Sequence, residues 1–226
     1  DATENGNQSQ TITITNDEAA PTVTLSASGT TVAESGGISS RTIGINLSGA
    51  TYQDVVVTLA LSSTATANSD YQLPTTATIT AGQTQEILNF VVANDITYEI
   101  AETAVIDVDT VTGGGASENG TQQLTITITS DDAAPTLTLT SSASSMDENG
   151  SAVTLTGTLS NPTYQTVTVG LAASGTATLN SDYALSATSF TIAAEGTTGT
   201  VTATPTDDST FEGDETVIID VSSVSG

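Results

Sequence analysis

The stretch NDEAAPTVTLSASGTTVAESGG (residues 16–37) returns as SDDAAPTLTLTSSASSMDENGS (residues 130–151). Both copies open with acids and a proline, run into Thr alternating with Val or Leu, and close on a Glu followed by glycine. Alternation of period two among β-branched residues marks a half-buried strand, because successive side chains point to opposite faces. Other segments return in step: TATANSDY (64–71) as TATLNSDY (176–183), ENGNQSQTITITND (4–17) as ENGTQQLTITITSD (118–131), and NDITYEIAET (94–103) as DDSTFEGDET (207–216). A domain-sized period points to tandem beads, since solenoid repeats are much shorter.

The phase of the repeat divides the chain. Residues 1–18 match the end of the first unit and read as the closing strand of a preceding repeat. Residues 19–132 form repeat 1, and residues 133–226 form repeat 2 lacking its last strand. The chain opens inside a polar segment without Met or a signal peptide, so an excerpt from something longer is expected. Within each unit, runs such as TIGINL, VVVTLAL, LNFVV and AVIDV are broken by Gly, Ser, Asn and Asp clusters. No apolar stripe at helical spacing persists. About seven strands per unit predict an all-β chain of tandem immunoglobulin-like Greek-key sandwiches. The expected inward set of the first unit is Val23, Leu25, Ile43, Ile45, Leu47, Val55, Val57, Leu59, Leu61, Leu88, Phe90, Val92, Ile106, Val108, Ile126 and Ile128. The repeated Ala-Ala-Pro linkers (19–21 and 133–135) are short and should join the beads stiffly.

Composition excludes several classes of function. The chain has 226 residues, 26 acids and one base, for a net charge of −25. Nucleic acid and anionic membranes need clustered Lys and Arg, so neither is a partner, and no apolar run reaches the ~18 residues of a membrane span. Cysteine and histidine are absent, which removes disulfides, thiolate nucleophiles, imidazole bases and the usual zinc ligands. Serine has no His or Lys to activate it. Paired carboxylates could hydrolyse glycosides, but a sugar cleft normally brings Trp platforms and the chain has none. No enzyme is expected. The glycine-rich stretches at 35–40 and 112–120 lack Lys and read as turns or hairpin tips.

The acids are the informative residues. Each unit carries an aromatic ring inside an acidic loop, Tyr98 or Phe211, expected to anchor that loop to the core. Tyr52 and Tyr164 read as packing residues at a turn, and Asp107 and Asp109 as outward-facing charges. Two readings of the acidic loops stand. They are solvated surface, or they converge at one end of a sandwich and hold Ca²⁺, which takes six to eight oxygen ligands. Bare carboxylates gathered there would repel, at up to about 1 kcal/mol per close pair in water. No EF-hand loop is present.

Four motifs in order carry a resemblance to a known family: PTVTLSAS…TVAESGG, LSGA…DVVVTLALSSTATANSDY, NDITYEIAET and TITITSDD. Together they resemble the Calx-beta domain, named for the regulatory region of sodium–calcium exchangers and abundant in large bacterial surface proteins. The resemblance covers both units. It implies seven-stranded sandwiches that bind calcium at the end where one domain meets the next. Carried over by position, it implies a metal set of Glu34, Asp70, Asp95, Glu99, Asp131 and Asp132 in repeat 1, with Glu102 an additional candidate. In repeat 2 the matches are Glu148, Asp182, Asp207, Asp208 and Glu212, with Glu215 a further candidate. Asp17 and Glu18 would serve the preceding bead. Asn94 stands where an acid is usual.

The expectation that follows is a calcium-stiffened stalk segment of a secreted bacterial adhesin or cell-surface filament, projecting a distal binding region from the cell. A gliding-type adhesin is one concrete form. The alternatives are a calcium-dependent carbohydrate- or cell-binding module, or an accessory domain of a secreted hydrolase. Expected partners are neighbouring repeats of the same chain or head-to-tail copies, with residues 10–15 of one filling the second sandwich of the next. Surface polysaccharide or other cells are further partners. The expected location is the extracellular cell surface.

Overall fold

A computed structural model describes residues 1–35 and 39–226. The glycine-rich turn expected at 35–40 falls partly outside them, at residues 36–38. The first unit contains β1 (Thr22–Ala27), β2 (Thr31–Ala33), β3 (Ser39–Leu47), β4 (Val55–Ser63), β5 (Tyr71–Gln72), β6 (Thr76–Ile79), β7 (Gln85–Val92), β8 (Glu102–Thr112), β9 (Ser117–Glu118) and β10 (Gln123–Thr129). They form two sheets, ordered β5-β7-β3-β1-β9 and β2-β10-β8-β4-β6. Seven strands are substantial, as expected; β2, β5 and β9 are short additions of two or three residues. The second unit contains β11 (Leu137–Ser141), β12 (Val153–Leu159), β13 (Val167–Gly175), β14 (Tyr183–Leu185), β15 (Ser189–Ile192), β16 (Thr198–Pro205) and β17 (Val217–Ser225). Its sheets run β11-β12-β16-β14 and β15-β13-β17. The chain is all-β, two tandem sandwiches of immunoglobulin-like type.

Alternation fills the space between the first two sheets. Val23, Ile43, Ile45, Leu88 and Phe90 from one sheet meet Val55, Val57, Leu59, Ile106 and Ile126 from the other. Leu25, Leu61 and Val108 are only partly buried and pack against that core. Tyr71, absent from the expected set, is fully buried and stacks on Phe90 at 4.7 Å between centroids. Such a ring pair contributes about 0.5–1.5 kcal/mol beyond the area it buries. The second unit moves its large ring to the facing sheet. By register, Phe190 stands where Ala77 does, Gly157 where Ile45 does, and Ala203 where Phe90 does. A Cβ on Gly157 would lie 2.4 Å from the Phe190 ring, so glycine there makes the room. The paired exchange of Ala77 and Phe90 for Phe190 and Ala203 keeps their combined volume, the kind of change a core tolerates.

Two expectations for aromatic residues, Tyr52 and Phe211, need correction here. Tyr52 is 83% exposed and packs against no core. Its neighbour Thr51 takes the inward position, accepting a hydrogen bond at its carbonyl from the Gly82 N–H at 2.9 Å. The equivalent Thr163 is buried in the second unit, and there Tyr164 is half-buried. Phe211 is 98% exposed and anchors nothing. Asp107 and Asp109 behave as expected at the surface of β8, with Asp107 accepting from Gln123 Nε2 at 3.0 Å.

Residues 1–18 form no strand and are exposed throughout, Ile12 and Ile14 at 88% and 95%. QTITIT (10–15) has strand composition but finds no open edge in its own neighbourhood. In the first unit β10 already pairs with β8, opposing Ile126 to Ala104. In the second, β17 corresponds to β8, and among the described residues it pairs only with β13. A groove of about 1090 Å³ lies beside it, lined by Leu139, Leu155, Tyr183 and Ile219 among others. Because residues 1–18 contribute nothing to either core, their deletion should leave thermal melting within about 0.5 kcal/mol of the parent. Sedimentation together with calorimetry checks this. Loss of oligomers and of stability in the second unit would instead place residues 10–15 on β17 of another copy.

Candidate metal centre

Parallel pairing builds the deepest part of the site. β2 runs alongside β10 with Ala33 opposite Thr129, and the Glu34 N–H donates to the Thr129 carbonyl at 2.9 Å. Both chains therefore leave the sheet at one level, which sets Glu34 against Asp131 and Asp132. Carboxylate oxygens of these three residues lie within 4.8 Å of one another. Glu34 is 4% exposed, and its Oε2 is buried without a hydrogen-bond partner, as is Oδ2 of Asp132. A buried charge without a partner costs several kcal/mol, so such groups are normally paired or bind metals.

A second group of acids comes from two loops. In the turn at 66–70, Asn68 adopts φ 70°, the Thr66 N–H donates to Asp70 Oδ2, and the Asp70 N–H returns to the Thr66 carbonyl at 2.9 Å. Tyr71 follows immediately and is locked in the core. The ring that anchors the acids is therefore Tyr71, not Tyr98 as expected. Asp95 accepts from the Thr97 N–H at 2.7 Å, and Glu102 opens β8 opposite Ile128. Asp70, Asp95, Glu99 and Glu102 line one cavity of about 450 Å³. Two residues that sequence reading missed, Tyr164 and Glu195 of the second unit, complete its wall. Tyr98 explains their presence: its N–H donates to the Pro162 carbonyl at 2.9 Å, and its carbonyl accepts from the Tyr164 N–H at 3.1 Å. The acidic loop is thus tied to the next unit.

The equivalent acids of the second unit are looser. The Asp182 turn repeats that of Asp70, with Asn180 at φ 69°, Thr178 N–H donating to Asp182 Oδ2 at 2.6 Å, and Tyr183 buried behind it. Asp208 accepts from the Thr210 N–H at 2.6 Å, as Asp95 does from Thr97. Oxygens of Asp182, Glu212 and Glu215 come within 4.8 Å of one another. Glu148 is exposed where Glu34 is buried: among the described residues β17 pairs only with β13, and no counterpart of β10 runs beside the Glu148 segment. Asp207 is exposed and lines the groove, and Asp17 and Glu18 are exposed and belong to neither cluster. Asn94 is exposed, with its side-chain amide donating to the Asp95 carbonyl.

Electrostatics follow from this crowding. Burial, then the charges of Glu99, Asp95, Asp70 and Asp131, push the Glu34 carboxyl up to about 7. Burial and the adjacent Asp70 hold Glu102 up at about 7 as well, and burial followed by Asp70 and Asp95 raises Glu99. Glu212 and Glu215 are raised in the same direction. The chain's one cationic side chain, Arg41, donates to the Ser40 and Thr31 carbonyls and offsets none of this. All ligand atoms are hard carboxylate oxygens, with no nitrogen or sulfur, which suits Ca²⁺ and not zinc. The residues present therefore fit the ion.

A carboxyl raised in the folded state binds its proton more tightly there than in the unfolded chain. Its stabilising contribution is complete below the unfolded value of 4.5 and is lost as pH rises through about 7. In chelator, the first unit's melting temperature should therefore fall between pH 4.5 and 7, and Glu34→Gln with Glu102→Gln should flatten that fall. Scanning calorimetry across the window reads it. A melting temperature that rises or stays level in the parent would contradict the assignment.

Comparison with known proteins identifies a family. The Calx-beta domain family model matches residues 16–132 and again residues 130–226. No curated protein matches the chain in sequence. Among solved structures, CBD12 from CALX1.2 is similar at 19% identity, covering 80% of this chain and 73% of its own, with a TM-score of 0.39. The calcium binding domain CBD12 of CALX1.1 is similar at 19% identity, with 84% and 76% covered and a TM-score of 0.39. A two-domain protein of unknown function from Bacteroides fragilis NCTC 9343 follows at 6% identity, 82% and 88% covered, TM-score 0.35. The two family matches leave little of the sequence outside them, and the chain belongs to the Calx-beta domain family, as two domains in tandem.

Proposed function

We propose that this chain is a structural segment of an extracellular adhesin or cell-surface filament, with Ca²⁺ bound at the joint between its domains. The observation that carries the reading is Glu34: a carboxylate almost wholly out of water, its Oε2 unpartnered, among acids and without a base. Glu34, Asp131 and Asp132 would hold one ion, and Asp70, Asp95, Glu99 and Glu102 would hold or share another. When bound, the ion supplies the positive charge the chain lacks and cross-links loops from separate strands. Its place beside the Tyr98–Thr163 contact supports a mechanical role, since fixing these loops also fixes the turn they touch. Neighbouring domains of the same kind are the natural partners. Extracellular modules bind calcium at about 10⁻⁴ to 10⁻³ M, matched to the concentration outside cells.

A ligand bound only by the folded state stabilises it by RT ln(1 + [L]/Kd), about 2.7 kcal/mol at a hundredfold excess. Raising calcium from chelator to about 10 mM should therefore lift melting of the first domain by on the order of 10 °C. Asp95→Ala with Glu99→Ala should remove most of that shift. Solution scattering in the same two conditions should give a longer maximum dimension with calcium. Identical melting curves with and without the ion would sink the calcium reading. A compact side-by-side pair in both conditions would sink the stalk.

A further inference from the structure

The acids of the first domain do not form their cavity alone. The Thr163 carbonyl of the second domain accepts a hydrogen bond from the Glu195 N–H at 2.9 Å, while Thr163 itself forms a parallel bridge with Tyr98. A continuous backbone path thus runs from the acidic loop of one domain to the Ala193–Gly196 turn of the other. At that turn Glu195 adopts φ 63°, a left-handed conformation that glycine takes without strain and other residues adopt at a cost. The matching position in the first domain is Gly82, at φ 82°. Glu195 is therefore not required by the turn; the repeat unit builds it with glycine. Its side chain lines the cavity formed by Asp70, Asp95, Glu99 and Glu102, and its charge acts on Glu99. A fifth carboxylate facing four others would only drive the domains apart unless something positive sits between them. Beside this cavity Glu34, nine-tenths buried and with its Oε2 unpartnered, feels the charges of Glu99, Asp95 and Asp70, so both groups of acids share one deficit of positive charge.

We propose that Glu195 is a ligand, given by the second domain, of the divalent cation held in the first domain's acidic cavity, so that ion binding and the angle between the domains are coupled. The inference rests on the calcium reading above and adds to it a specific residue across the joint. Without the ion, Glu195 repels the acidic loop and loosens the contact made by Tyr98. With the ion, the same carboxylate becomes the tie. A joint whose second domain carries glycine at this position, as Gly82 does in the first, would lack that tie.

Calcium alone serves as the probe, on the 226-residue chain. Calorimetric titration would compare the parent with Glu195→Gln, Glu195→Gly and, as a control for net charge, Asp109→Asn. Because the chain has no cysteine, dyes on Gln53→Cys and Ser174→Cys would report the spread of inter-domain distances by energy transfer. Both Glu195 variants should weaken calcium binding by about three- to tenfold and abolish the calcium-dependent narrowing of that spread, while Asp109→Asn changes neither. Glu195→Gly restores the turn's ordinary residue, so its melting in chelator should not fall, which separates loss of a ligand from misfolding. Unchanged affinity and narrowing in the Glu195 variants, or an equal loss in Asp109→Asn, would overturn the role of Glu195 while leaving calcium binding intact. Absence of calcium uptake by the parent would overturn both this inference and the calcium reading.

Discussion

A carboxylate taken out of water must be neutralised by a proton, a base or a metal, and Glu34 is placed where the second is missing. The chain owns a single guanidinium, which is committed to backbone carbonyls near its own strand. Only a proton or an imported cation remains. A proton serves at mildly acidic pH, since burial, and then the neighbouring acids, lift the carboxyl to about 7. Above that, the fold retains an uncompensated buried charge unless a cation arrives. The rest of the site is arranged around this deficit: Asp131 and Asp132 beside Glu34, and Glu99, Asp95 and Asp70 within electrostatic reach.

What creates the deficit is a sheet device, the split of the first strand between two sheets. β1 pairs antiparallel with β3, while β2 crosses to run parallel with β10. That crossing carries Glu34 inward at the level where β10 gives way to Asp131. The second domain shows the dependence from the other side. Among the described residues β17 pairs only with β13, so the segment around Glu148 has no counterpart of β10 to run beside, and Glu148 stays in solvent. The Asp182 turn nevertheless keeps its geometry, because Tyr183 and the left-handed Asn180 hold it locally. Acids set by a turn survive without the closing strand; the acid set by strand pairing does not.

Most of the architecture was legible because it is written in local periodicity and in the repeat. The alternation of VVVTLAL and LTITIT fixed which faces are buried, and the order of four acidic motifs brought out the end that gathers charge. Tyr71 was missed as a core residue because one aromatic after Asn-Ser-Asp, in a strand of two residues, shows no alternation. The anchoring role given to Tyr98 and Phe211 failed for a physical reason. Tyr98 sits in a loop that contacts the next domain, and at Phe211 the described chain offers nothing to contact. Glu195 was illegible as a ligand for a similar reason, since its meaning lies across a domain boundary. Its one signal was a Glu aligned with Gly82 in otherwise matching turns, ITAGQT and IAAEGT.

The central claim is that Glu34 is held for a cation and destabilises the fold without one. Glu34→Gln keeps the shape and removes the charge, so its melting temperature at pH 8, read in chelator and in calcium, isolates that charge. The account predicts opposite signs: the variant melts higher than the parent in chelator, where an uncompensated buried charge is relieved, and lower than the parent in calcium, where a ligand is lost. A substitution that shifts melting in the same direction and by the same amount in both conditions would show Glu34 to be a packing residue, and the account would be wrong.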